Sequence, residues 1–294
     1  MANTFQLLPY RFHFRALDPV RFPAGKAGNV FRGAFGTILR EVACIPECPG
    51  ASKCDRRMEC AYARLFEPVL NGPGPSGFAN PPRPFVLRAS HLDGVLLPSG
   101  SEFFLDVNVF DTRFPARHWF ERVFECLAED GIGPGRGRAS LATVEDLGAQ
   151  AISLDSRSGT VTRVAIQFVS PTELKSGGAV RNEPIFEILF ACIRDRISSL
   201  QSLYGSAPLD FDFKGLAERA ASIRTVRTDL RQEHSTRLST RTGQTHPLGG
   251  FTGEVEYEGN LMEFLPWLEC AHWTGVGRQT VWGKGQLRIM RSVH

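Results

Sequence analysis

One order of elements, strand–helix–strand–strand–helix–strand, runs through this chain twice and narrows the fold more than any other feature. In the first pass Leu8, Tyr10, Phe12 and Phe14 alternate with Pro9, Arg11, His13 and Arg15. A period of two marks a strand with one buried face, and here the other face is basic. The loop PVRFPAGKAGN follows, with Asn29 as the expected N-cap. Val30, Phe31, Ala34, Phe35, Ile38, Leu39 and Val42 then recur at helical spacing. Arg32, Gly36 and Arg40 form one polar stripe on that helix. After a cysteine-bearing insert and the stretch NGPGPSGFANPPRP, strands are predicted at 85–90 and 102–110 and a helix at 115–130. The glycine-rich GIGPGRGR and a strand at 139–144 end the pass.

The second pass predicts a strand at 161–169, a helix at 183–204 and a further short helix at 216–222. Strands at 222–238 and 251–258 flank a turn containing GQTHPLGG, and a helix at 261–271 leads through GVGRQTVWGKG to a last strand at 286–290. Two copies of one supersecondary unit predict an α+β protein with domains at 1–150 and 151–294.

Hydrophobic residues at 42% and charged residues at 22% supply an ordinary core and exclude a disordered chain. The net charge of +3 is unevenly spread. Residues 1–40 carry Arg11, Arg15, Arg21, Lys26, Arg32 and Arg40 against Asp18 alone, and Arg278, Lys284, Arg288 and Arg291 follow Glu269 with no later acid. Basic ends suit a polyanion partner. The N-terminus lacks a signal-peptide stretch, and the most apolar run, 185–193, is too short to span a bilayer and contains Glu187. Seven cysteines, an odd number, do not suit a secreted disulfide framework. The expectation is a cytoplasmic protein with no membrane partner.

The densest local signal is GVGRQTVWGKG at 275–285. Gly275, Gly277, Gly283 and Gly285 let the backbone take positive φ and come close to a ligand. Amides in such a loop, beside Arg278 and Lys284, make a concavity for phosphate oxygens. The loop is not a Walker A motif: Gly277 to Gly283 is one residue too long, Gly285 stands where Ser or Thr belongs, and no helix follows. It lacks the third glycine of a dinucleotide fingerprint. Trp282 either stacks on a base or buries itself, and the competing reading of the whole loop is a tight turn packing the last helix on the sheet.

In the form GxGxxTxxGxG, entering the last strand of a duplicated βαββαβ unit, this loop resembles the RAMP (repeat-associated mysterious protein) superfamily. Within it, the chain is similar to the CRISPR-associated repeat-processing endoribonucleases of the Cas-six type. FRGAFGTILREVAC, CAYARLFEP, GIGPGRGRASL, FVSPTELK and HPLGGFTGEVEYEG match further stretches. The resemblance implies two tandem ferredoxin-like (RRM-like) domains. It also implies a nuclease that needs no cofactor for catalysis. In that chemistry the 2′-hydroxyl attacks the adjacent phosphate and leaves a 2′,3′-cyclic phosphate and a 5′-hydroxyl. The implied partner is CRISPR repeat RNA, as precursor and as mature guide, with effector-complex subunits beside it and no direct DNA contact.

Many relatives carry a histidine around the first helix, whereas PVRFPAGKAGNVFRGAFGTILRE contains none. His13, between Arg11 and Arg15, is the nearest acid–base group. Lys26 and Arg32 are the expected electrostatic stabilisers of the phosphorane, with Arg278 from the loop. Arg11, Arg15, Arg40, Gly275, Gly277, Arg278, Gly283, Lys284, Gly285, Arg237 and Arg241 are the expected RNA contacts. His246 is a weaker candidate, and His118, His234 and His272 read as structural. The missing histidine supports a first alternative, a non-catalytic RNA-binding subunit of an effector complex. A second alternative is a ferredoxin-like module for anion binding or assembly.

Two motifs stand apart. Cys44, Cys48, Cys54 and Cys60, spaced C-x3-C-x5-C-x5-C, meet the ligand count of tetrahedral zinc without the C-x2-C knuckles of a typical site. Structural zinc, free thiols and an iron–sulfur cluster are the alternatives. Cys126, Cys192 and Cys270 read as packing residues. Arg224, Arg227, Arg231, Arg237 and Arg241 either grip a repeat hairpin through phosphates or are partly paired with Asp229 and Glu233 in solvent.

Overall fold

Alternation along the opening strand builds the first sheet. β1 (Thr4–Ala16) turns Tyr10, Phe12, Phe14 and Ala16 to one side, all buried. A short β2 (Val20–Arg21) precedes α1 (Ala27–Ala43), and α2 (Ala61–Leu65) follows the cysteine insert. Next come β3 (Phe85–Arg88), β4 (Leu96–Leu97), β5 (Glu102–Val109), α3 (Arg117–Asp130), β6 (Ala139–Asp146) and β7 (Gln150–Ser153). The sheet order is β3-β5-β1-β6, with β7 on the first residues of β1 and β2 paired with β4. Every pairing is antiparallel, as the βαββαβ unit requires. This computed structural model describes residues 3–45, 47–69, 81–114, 116–234, 236–238, 245–247 and 249–293, with 236–238, 245–247 and 291–293 in backbone only.

The second half repeats the unit. Its elements are β8 (Arg163–Thr172), the small hairpin β9 (Leu174–Ser176) and β10 (Ala179–Arg181), α4 (Phe186–Tyr204), α5 (Phe213–Ala220) and β11 (Arg224–Glu233). The pair β12 (Thr236–Leu238) and β13 (Thr245–Pro247), β14 (Gly250–Glu258), α6 (Leu265–Thr274) and β15 (Leu287–Val293) complete it. The order β11-β14-β8-β15 reproduces the first sheet strand for strand. Among the described residues no helix is long and apolar enough to cross a membrane.

The helices of each half cover one face of its sheet. In the first half Phe12, Phe14, Phe31, Phe35, Phe120 and Phe124 interlock, with Phe35 and Phe120 stacked at 4.7 Å. Burying one such ring contributes about 1.5–3 kcal/mol. Gly36 of the polar stripe is buried because the Phe66 ring lies where a side chain would stand. The second core takes Phe5, Leu7, Val86 and Phe110 from the first half, so the two halves share a hydrophobic seam.

Several boundaries shift by a few residues, and two of the shifts have a clear physical cause. Asn29 is not the N-cap: α1 starts at Ala27 after Lys26, and Asp93 Oδ1 accepts from the Ala27 amide at 2.8 Å. A cap supplied from 66 residues away leaves no local signature. The last helix starts at Leu265 instead of 261, with Pro266 in its first turn where the missing amide costs least.

Candidate nucleic-acid interface

Since β1 alternates, Phe5, Leu7, Arg11, His13 and Arg15 point away from α1 and α3. Phe5 and Leu7 vanish under the second half, Arg11 and His13 emerge half-buried, and Arg15 is exposed. Antiparallel β5 sets Phe104 opposite His13. Phe104 is the centre of this open face. The Arg11 guanidinium lies 4.1 Å from its ring centroid, the His91 ring stacks on it at 4.2 Å and 20°, and the His13 ring lies at 6.4 Å. First and third strands are the central pair of this sheet, and RRM-type domains stack bases from aromatics on those strands.

The basic face read from β1 alone is corrected by the register. Arg11 donates to both Asp106 oxygens at 2.7 and 2.9 Å, Arg15 faces Glu102, and His13 Nε2 lies 3.2 Å from Glu145 Oε2. Alternation within one strand cannot show which charges its neighbours place opposite. The face is charge-balanced, and its distinguishing feature is an aromatic ring flanked by a guanidinium and two imidazoles.

The turn Ser90–Asp93 joins this face to the start of α1 and to the glycine loop. His91 Nε2 is 3.0 Å from the Phe104 carbonyl oxygen, Asp93 caps Ala27, and Ser90 Oγ donates to Gln286 Oε1 at 3.0 Å. His91 is exposed as a residue, yet its stacked ring loses water, which pushes the imidazole below its ordinary pKa. With Nε2–H donating to the carbonyl, Nδ1 is the basic nitrogen. Burial pushes Asp93 up, against the pull of the Ala27 amide, and pushes Lys284 down. Sequence reasoning passed over His91, because RASHLDG has no periodicity that aims its side chain. Only the pairing of β5 beside β3 brings Phe104 beneath it.

The glycine loop is a joint between the halves. A Cβ on Gly285 would fall on the Val276 carbonyl oxygen, and one on Gly277 on that of Glu173. Both residues have φ near +70°, at +68° and +77°, where glycine alone is unstrained. Amides of Val276, Arg278, Trp282, Gly283, Gly285 and Gln286 donate to protein oxygens. Gly283 packs near Gly28 and the Leu87 carbonyl, and Gly275 near Arg88. Lys284 is buried and donates to the Gly25 carbonyl at 3.0 Å, which ties the loop to the segment carrying Lys26. Arg278 is exposed and ion-paired with Glu173. Arg88 donates to the carbonyls of His272 and Trp273, and Asn108 to Trp273, so the end of α6 is clamped on the first sheet.

The remaining expected residues are scattered. α1, which begins after Lys26 and carries Arg32, packs on the face of the first sheet opposite His13, so these three do not form one cluster. The Arg32 guanidinium lies 4.5 Å from the Phe66 ring and 5.3 Å from Trp282. Arg40 donates to the Cys48 carbonyl at 3.0 Å. Arg224 pairs with Glu258, while Arg227 and Arg231 are exposed on β11. Arg237 is described only in its backbone, opposite His246, and Arg241 lies outside the described residues. Cys44, Cys48, Cys54 and Cys60 lie beyond the far end of α1, about 25 Å along its axis from Lys26.

Comparison with known proteins follows this division of the chain. A family model described as an N-terminal domain matches residues 5–164, and the model of the CRISPR-associated endoribonuclease Cas6 matches residues 166–287. No curated protein matches the chain significantly in sequence. Among solved structures, Thermus thermophilus Cas6 (TTHB231) superposes with a TM-score of 0.56 at 17% identity, covering 99% of this chain and 100% of that one. A product complex of Cas6 (TTHA0078) gives 0.56 at 15% identity, covering 98% and 100%. A partial Cas6-RT-Cas1–Cas2 complex gives 0.56 at 11% identity, covering 98% of this chain and 47% of that one. These structures share its fold. The second half of the chain carries the domain of the CRISPR-associated endoribonuclease Cas6, and the chain as a whole has the Cas6 fold.

Proposed function

We propose that this protein binds CRISPR repeat RNA across the Phe104 face and cleaves it, without a metal ion, where that face meets the start of α1. The observation that carries the reading is the Ser90–Asp93 turn. It touches Phe104 through His91, α1 through Asp93 and the glycine loop through Ser90, giving one track from a base-stacking ring to the Lys26 segment. A base stacks on Phe104 or on the imidazole above it. A ribose 2′-hydroxyl then loses its proton to an imidazole of the cluster, and its oxygen attacks the adjacent phosphorus in line. The bond from phosphorus to the 5′-oxygen breaks, and that oxygen takes up a proton. The products are a 2′,3′-cyclic phosphate and a 5′-hydroxyl.

Lys26, at the start of α1, supplies positive charge to the crowded phosphorane, and His91, on the turn that caps that helix, moves the proton. His13 and Arg32 stand on opposite faces of the first sheet and serve at most as alternatives at the two ends of the track. Bound guide RNA presents the protein to effector-complex subunits, with the cytoplasm as the compartment. The test is labelled repeat RNA incubated with the protein in EDTA, followed by end-group analysis. Cyclic-phosphate and 5′-hydroxyl ends are expected. Tight binding without product identifies an RNA-binding subunit instead, and failure to bind at low salt, where phosphate contacts are strongest, leaves the anion-binding or assembly module.

A further inference from the structure

The insert between α1 and α2 takes no part in that reading. Among the described residues of 44–60, Ala51 is the buried apolar one, whereas Ile45 and Met58 are exposed at 52% and 71%. A segment this polar cannot be held by hydrophobic burial. Short backbone turns shape it: Cys48 donates to Ile45, Lys53 to Gly50, Arg57 to Cys54 and Cys60 to Arg56. Contacts between sulfurs add to these turns. Cys44 Sγ lies 3.4 Å from Cys48 Sγ and 3.8 Å from Cys60 Sγ.

Those separations have a chemical meaning. Around a tetrahedral zinc with Zn–S bonds of about 2.3 Å, neighbouring sulfurs stand about 3.8 Å apart. The Cys44–Cys60 edge has that length, and the Cys44–Cys48 edge falls short by about 0.4 Å. The Gly50 amide faces the Cys48 sulfur, and Arg40 holds the Cys48 carbonyl, so this ligand is fixed from both sides. Among the described residues no three metal-binding side chains enclose one point. Cys44 links the other two, and closure takes Cys54, a half-buried residue at the bend between the turns. We propose that Cys44, Cys48, Cys54 and Cys60 bind one zinc ion as four thiolates, and that this ion replaces a hydrophobic core in folding the insert. Each thiol gives up its proton on binding, so zinc affinity falls in acid. At the opposite end of α1 from Lys26, the ion is structural.

The test uses the full chain, purified without added metal. About one zinc per chain is expected by elemental analysis, released when a mercurial reagent titrates the thiols. Cobalt(II) exchanged into the stripped protein should give the intense visible bands of a tetrahedral thiolate site. Cys44→Ser and Cys60→Ser should abolish both signals, while Cys126→Ser keeps them. Stripping the metal should speed trypsin cleavage at Lys53, Arg56 or Arg57 by about tenfold, because the insert opens. Should the serine variants prove insoluble, the cobalt spectrum and proteolysis of the unaltered chain decide. Zinc below about 0.1 per chain, iron with inorganic sulfide in its place, or cobalt bands surviving both serine changes overturns the proposal.

Discussion

The two halves share one strand order yet turn different chemistry outward from their helices. On the third strand of the first sheet, Phe104 stands between Arg11, His13 and His91. On the third strand of the second, the outward positions are Glu254, Glu256 and Glu258. Arg163 of β8 reaches Glu256 at 3.7 Å and also pairs with Glu258, which Arg224 of β11 joins. One face carries a half-buried aromatic ring packed by a guanidinium and an imidazole, and the other is dominated by ion pairs. A phosphate reaching Arg163 or Arg224 there must first part it from a carboxylate, while Arg227 and Arg231 stand exposed on the same face. A duplicated fold therefore supplies two platforms, and the side chains decide which one serves.

Removing a group from the chemistry tests this contrast most severely. Lys26→Ala, Arg32→Ala, His13→Ala and His91→Ala should include at least one charge-stabilising and one imidazole variant whose single-turnover cleavage is slowed by about 10²-fold or more. Arg163→Ala on the second face should cleave at the normal rate. If all four cut normally, the chemistry lies elsewhere; if Arg163→Ala is as slow as any of them, the second face is not inert. The same series distinguishes the two imidazoles, since only the one that moves a proton is needed at saturating RNA.

Affinity is the next readout. Phe104→Ala removes the ring between Arg11 and His91, and loss of one base–aromatic stack costs about 1–3 kcal/mol. Repeat RNA should bind roughly 5- to 100-fold more weakly in a filter or fluorescence titration. Phe104→Tyr should retain most of the affinity, because the stacking face survives. Equal binding by Phe104→Ala and the unaltered chain would leave the first face no more an RNA surface than the second.

How far the sequence carried this picture follows from the range of each interaction. Strand order was legible because alternation in β1 and the 3.6-residue period in α1 and α4 are local. The glycine loop was legible as a motif, but its setting was not. That Lys284 turns inward to Gly25, and that Gly285 leaves no room for a Cβ, depends on partners hundreds of residues away or on a backbone path no spacing encodes. His91 escaped notice for the same reason, as its neighbours come from β1 and β5. The acids opposite Arg11, His13 and Arg15 became visible only with the register.

Acidity offers a smaller and finer probe of the first face. Loss of water holds His91 below the usual imidazole value, opposed by its bond to the Phe104 carbonyl. A group with a lowered pKa stays neutral, and thus basic, to more acidic pH. If His91 is the base, the rate of cleavage should begin to fall only below about pH 6.5, by roughly tenfold per unit thereafter. His91→Ala, assayed at saturating RNA, should remove that limb. A limb that persists in His91→Ala and disappears in His13→Ala transfers the role to His13.

The smallest effect is expected on the second face, and it is informative for being small. Arg224 is exposed and paired with Glu258, whose carboxyl the Arg163 guanidinium holds below its ordinary range. That depressed carboxyl stays ionised, and the pairs stay formed, at any pH used for cleavage. Arg224→Ala should alter repeat-RNA affinity by less than about twofold, since an exposed paired arginine contributes little to either stability or binding. The salt dependence gives the sharper reading. An arginine that neutralises a phosphate lowers the slope of log affinity against log salt by about one when removed, whereas one held by a carboxylate leaves the slope as it was. A slope reduced by one in Arg224→Ala would mean that RNA parts this ion pair on binding, and the two faces would then form one continuous surface instead of a working platform and an inert one.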